Sequence, residues 1–157
     1  MKRNSTIFLQ GVTILIGIAT LVFMLCEPLV EGRNLHATFY EIYFKDLFLA
    51  YAYIASISFF VVLYKVFKLF GYIRQNKIYS INSIKALKII KYCAISLVCF
   101  ILVPEIYLFV VRPGDDIAGG VAVGFFLIFV SVIIAVSADV FEGLIQSIID
   151  MKSKLNK

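Results

Sequence analysis

The chain has 157 residues, 62% of them hydrophobic, with a mean hydropathy of +0.97 and a formal net charge of +5. A water-soluble domain of this length spreads its charges along the chain, whereas here they gather in bands between long apolar runs. That pattern excludes a soluble globular domain and makes lipid the natural solvent.

The first element is an apolar run over 6–26, preceded by Met1, Lys2 and Arg3. A basic start before an apolar stretch resembles a secretory signal, but no small-residue cleavage site follows it, so a retained anchor is expected. Cys26 follows Phe23, Met24 and Leu25, which lack the small side chains of a lipoprotein site; with Cys93 and Cys99 inside one apolar run, all three cysteines read as structural thiols. Residues 27–46 form a polar connection in which Phe39, Tyr40, Tyr43 and Phe44 interleave with Glu41 and Lys45, the pattern of a short amphipathic segment on a membrane surface.

A second run covers 47–64 and reaches about Ile73 if Lys65 and Lys68 extend their apolar stems and keep their ammonium groups in water. Residues 65–91 are basic. Within them Ser80 is placed to cap a helix whose Ile81, Ile84 and Leu87 alternate with Lys85, Lys88 and Lys91, and which runs into the third apolar segment, 92–111. A short turn at Arg112, Pro113, Gly114, Asp115 and Asp116 leads to the fourth, 117–138. The tail, 139–157, keeps a helical stripe of Phe141, Leu144, Ile145, Ile148 and Leu155, and that stripe needs a partner surface. Each apolar run supplies roughly the 20 residues that a helix needs to cross about 30 Å of hydrocarbon. The fold class is therefore an all-α membrane protein with four transmembrane helices and a helical extension after the fourth.

Orientation follows from Lys and Arg, which short loops retain on the cytoplasmic side. Twelve of the fifteen lie before the first span, between the second and third, or after the fourth; the opposite side holds Arg33, Lys45 and Arg112 against six acids. Both termini are expected in the cytoplasm, with the basic surface against anionic lipid headgroups of the inner membrane. The same bases flank spans and form no nucleic-acid recognition element, so no direct nucleic-acid binding is expected. With no tryptophan present, tyrosines are expected at the membrane boundaries, Tyr40, Tyr43, Tyr51, Tyr53 and Tyr107 outside and Tyr64, Tyr72, Tyr79 and Tyr92 inside.

Small residues let membrane helices approach, and the fourth run offers Gly120, Gly124, Ser131, Ala135 and Ala138. The Gly120-x-x-x-Gly124 spacing suits a homodimer or a helix of the same chain, and the intramolecular contact is the plainer expectation. Glu105 is the one acid well inside an apolar run. It follows Pro104, which leaves the Phe100 carbonyl without its helical donor, and a buried carboxylate beside a broken helix is what an ion or proton path would use. Pairing with Arg112 or contact with water is the blander reading. Asp139 and Glu142 lie three apart at the inner boundary, where Lys65 or Lys68 is their expected partner in a helix-positioning contact. His36, five residues from both Glu31 and Glu41, has the wrong spacing for a shared helical face and reads as a solvated loop residue, not a metal ligand. No nucleophile, phosphate or dinucleotide motif is present, so neither catalytic residues nor a cofactor are expected.

The order of features resembles a bacterial family of small four-span membrane proteins known as domain of unknown function 2975. The resemblance rests on Met1-Lys2-Arg3, on Leu63-Tyr64-Lys65 with Leu69-Phe70-Gly71-Tyr72-Ile73, and on the stretch from Tyr79 and Ser80 through Ser83 and Lys85-Ala86-Leu87-Lys88 to Ile90-Lys91-Tyr92-Cys93-Ala94-Ile95. It implies the four-span topology and, because such genes often neighbour one for a small helix-turn-helix regulator, a signalling partner. Many members end on an acidic tail, where this chain has Lys152-Ser153-Lys154-Leu155-Asn156-Lys157. The expectation is a non-enzymatic envelope sensor or membrane partner of such a regulator; the rivals are self-protection against membrane-active peptides and a small transporter or transporter subunit using Glu105.

Overall fold

The computed structural model describes residues 3–30, 38, 40, 47–111 and 118–155. They form four long helices: α1, Arg3–Val30; α2, Leu47–Arg74; α3, Ile81–Val111; and α4, Ala118–Leu155. A chain in hydrocarbon must satisfy its backbone groups internally, which an unbroken helix does. All four are long and apolar enough to cross a membrane. At about 1.5 Å per residue, the 38 residues of α4 extend roughly 57 Å, well beyond a hydrocarbon core of about 30 Å. The expected fourth span and tail helix are one continuous rod. In the same way the capped segment after Ser80 and the third span are a single helix of 31 residues. Most of the 27–46 connection, including His36, lies outside the described residues, as do Arg112, Asp115 and Asp116.

The turn between α2 and α3 is built from local hydrogen bonds. Asn76 adopts φ 55°, the left-handed conformation that asparagine tolerates; its N–H donates to Ile73 O at 3.1 Å and that of Lys77 to Tyr72 O at 2.8 Å, a Schellman-type end to α2. Ser80 then opens α3, its carbonyl accepting the N–H groups of Ser83 and Ile84 at 3.0 and 3.3 Å. Its hydroxyl meets that of the fully buried Ser83 at 3.3 Å.

The helices pack as an antiparallel row in chain order, α4 on α3 most extensively, then α3 on α2 and α2 on α1. The start of α1, the end of α2, the start of α3 and the end of α4 thus share one end, and it carries Lys65, Lys68, Arg74, Lys77, Lys85, Lys88, Lys91, Lys152 and Lys154. The tightest apolar core lies toward this basic end, where Val62, Ile84, Leu87, Ile90, Ala138 and Ile145 are buried together. Elsewhere large side chains such as Phe8, Phe23, Phe126 and Phe129 point outward, the arrangement of a protein whose solvent is lipid.

Two prolines interrupt the helical ladders, Pro28 in α1 and Pro104 in α3. Each removes the donor for the carbonyl four residues earlier, Met24 and Phe100 respectively. Helix α2, lying between α1 and α3, supplies both replacements: Tyr53 Oη donates to Met24 O at 3.1 Å and Tyr51 Oη to Phe100 O at 2.7 Å. The Tyr51 and Phe100 rings also meet edge to face at 5.6 Å. These two tyrosines, expected as boundary anchors, therefore turn toward neighbouring helices, whereas Tyr64, Tyr79, Tyr92 and Tyr107 remain exposed.

Candidate functional site

The residues that carry charge inside the helical row gather on the seam between α3 and α4. On α3, Ile84, Leu87, Lys91, Ala94, Val98, Ile101 and Glu105 follow one another at alternating intervals of three and four and are all withdrawn from the surface. On α4, Gly124, Ile128, Ser131, Ala135, Ala138, Glu142, Ile145 and Ile149 do the same. Such spacing keeps one stripe facing one partner helix along its whole length. Four of the five small residues expected to permit close approach, Gly124, Ser131, Ala135 and Ala138, are buried; Gly120 is exposed, with nothing among the described residues within 4 Å of the position a Cβ would take.

Away from the basic end, Glu105 is only 7% exposed. Its carboxyl group sits against the backbone of Gly124, where an added Cβ would fall 2.6 Å from Glu105 Cδ. Glycine thus makes the notch that receives the acid. Glu105 Oε2 is buried without a hydrogen-bond partner among the described residues. The loosening at Pro104 does not supply one, because the carbonyl it frees is an acceptor and is already taken by Tyr51. Arg112, the partner expected from the sequence, lies outside the described residues.

At the basic end of the same seam, Lys91 Nζ donates to Asp139 Oδ1 at 2.8 Å and to Glu142 Oε2 at 3.3 Å, and Lys88 Nζ lies 3.6 Å from Glu142 Oε1. The two acids therefore join α4 to α3. Their expected partners, Lys65 and Lys68, belong to α2 and instead place their ammonium groups over the Tyr64 ring, 5.7 and 4.8 Å from its centroid. The reason for the difference is lateral order: α4 packs on α3, and α2 lies on the far side of α3. Glu142 and Lys91 are largely enclosed, with side chains 16% and 21% exposed, while the Asp139 side chain is 65% exposed. Lys91 and Glu142 are thus the partly desolvated pair, and Asp139 is its solvated rim.

A second polar contact, which the sequence reading passed over, ties α1 to α2. Thr6, Gln10 and Thr13 are buried in an otherwise apolar helix. Gln10 Nε2 donates to Phe67 O at 3.2 Å, and Gln10 Oε1 accepts from Arg74 Nη1 at 3.5 Å. Thr13 Oγ1 donates back to Leu9 O at 2.8 Å, while Thr6 Oγ1 has no partner among the described residues. The signal that could have found this face is the i, i+4, i+7 spacing of the three polar residues within a lipid-soluble run.

Comparison with known proteins agrees with this architecture. The model of a family described as protein of unknown function (DUF2975) matches residues 12–156. The chain is 40% identical over 157 residues to the uncharacterised membrane protein YoaS of Bacillus subtilis (strain 168), a match covering 98% of this chain and 97% of that one. No solved structure matches.

Proposed function

The chain belongs to the DUF2975 family of membrane proteins of unknown function, and from that premise we propose that it is a non-enzymatic sensor or regulatory partner in the cytoplasmic membrane. In this reading both termini and the basic end face the cytoplasm, which the distribution of Lys and Arg supports. Anionic lipid headgroups hold the lysine-rich surface, and a small cytoplasmic regulator engages the helical ends that rise above it. The observation that carries the reading is the continuous α4 rod, which leaves the hydrocarbon and is fastened to α3 through Lys91, Asp139 and Glu142. A displacement of α3 against α4 within the bilayer is thereby transmitted to the cytoplasmic extension without an intervening flexible joint. Native co-purification of the full chain is expected to recover a cytoplasmic regulator whose output changes when Lys91→Met loosens the seam. Recovery of no such protein from intact membranes overturns the proposal.

One observation favours a second reading. Glu105 keeps an oxygen without a partner among the described residues within the lipid-spanning part of α3, as a residue on a cation or proton path would. In that case the protein is a small transporter or a subunit of one, and Glu105→Gln abolishes flux in reconstituted vesicles. Unchanged flux removes Glu105 from any such role.

A further inference from the structure

Beyond the α3-facing seam, α4 carries a second apolar stripe on a different side. Phe141, Leu144, Ile148, Met151 and Leu155 follow at intervals of three, four, three and four, the spacing of two heptads. Four of these five are exposed by more than half, Leu155 by 87%. Ile145 and Ile149, beside them in sequence, are turned toward the core of the molecule instead. The stripe is therefore what remains of the tail's apolar surface after α3 has been satisfied.

Lipid does not account for its distal part. Glu142 marks the level of the charged cluster, and at about 1.5 Å per residue Met151 and Leu155 lie roughly 14 and 20 Å farther along a helix with no internal proline. Lys152, Lys154, Asp150 and Gln146 share that stretch, which puts it in water. A stripe of large apolar side chains standing in water calls for a protein surface.

We propose that this stripe is the site at which a second copy of the chain docks, the two α4 extensions forming a short parallel coiled coil. Three features select that occupant. Copies inserted with the same orientation in one membrane present the stripe in parallel and in register, which is the geometry that heptad spacing serves. With roughly 100 Å² available from each of the four exposed side chains and less from the half-buried Ile148, the pair covers on the order of 900 Å², close to the lower size of a specific interface. The flanking residues that meet across such a stripe are Ser147 of one copy and Lys152 of the other, so no like-charged pair opposes contact there.

The test uses the purified full chain in lipid vesicles, with Cys26, Cys93 and Cys99 replaced by serine or alanine and single cysteines introduced. Leu144→Cys and Met151→Cys are expected to give disulfide-linked dimers several-fold faster than Gln146→Cys and Ser153→Cys on the opposite side of the helix. Equal rates at all four positions overturn the proposal and leave chance collision in the bilayer as the source of the dimers. As a check that keeps the native cysteines, the double variant Leu144→Glu, Met151→Glu is expected to halve the number of chains per particle in nanodiscs. A wild-type chain that is monomeric at every protein-to-lipid ratio also overturns it. Because no regulator is present, these outcomes are independent of the function proposed above.

Discussion

Tyr51 shows how a single hydroxyl can decide the fate of a broken helix. The carbonyl of Phe100 loses its donor to Pro104 and would face hydrocarbon unpaired, at a cost of about 1–3 kcal/mol, unless another group reaches it. Tyr51→Phe removes that group and leaves the ring in place, so detergent-solubilised protein is expected to lose stability of that order in thermal or denaturant unfolding. A loss no larger than for Tyr107→Phe, whose ring lies exposed, would show that the bond contributes nothing. Gly124 makes a steric prediction. Gly124→Ala forces Glu105 from its notch and is expected to destabilise the chain by about 1–3 kcal/mol, whereas Gly120→Ala, which meets none of the described residues, is expected to be neutral or slightly stabilising. Combining Gly124→Ala with Glu105→Ala recovers part of the loss if the clash is its cause, and a strictly additive double variant argues against it.

At the level of helices, the sequence made lengths and ends legible but not neighbours. Ser80 at the start of α3 and the run-on of the tail stripe from the fourth span were visible because capping and periodicity are local properties. The freed carbonyl at Phe100 was visible for the same reason. Its donor, forty-nine residues earlier in the chain, was not, nor was the choice of Lys91 over Lys65 and Lys68 as partner of Asp139 and Glu142, because both depend on which helix lies beside which. That seam yields its own ordering of effects. Glu142→Gln is expected to lower the melting temperature more than Asp139→Asn, since Glu142 is enclosed beside Lys91 and Lys88 while Asp139 stands in solvent. The reverse order would mean that the solvated contact positions the helices.

For the whole molecule, the charge asymmetry predicts that reporter tags on the two termini label the same compartment, and removal of the basic residues from the α2–α3 turn is expected to give mixed orientation. Opposite labelling of the two tags in the unmodified chain would contradict the proposed topology directly. The composition already disclosed four crossings, because twenty-residue apolar stretches have few alternatives. The polar face of α1 stayed hidden, since three polar residues barely lower the hydropathy of so apolar a run, and their burial depends on α2 arriving beside it.

The chain-order row also bears on how the protein is made. Each helix after the first finds a docking surface on the segment inserted just before it, so the molecule can be assembled vectorially, one rod at a time. No early helix must wait exposed for the last to arrive before it has a companion. A truncated product ending after α2 should accordingly keep the Gln10 and Tyr53 contacts, and protease protection of such an intermediate in membranes would reveal it.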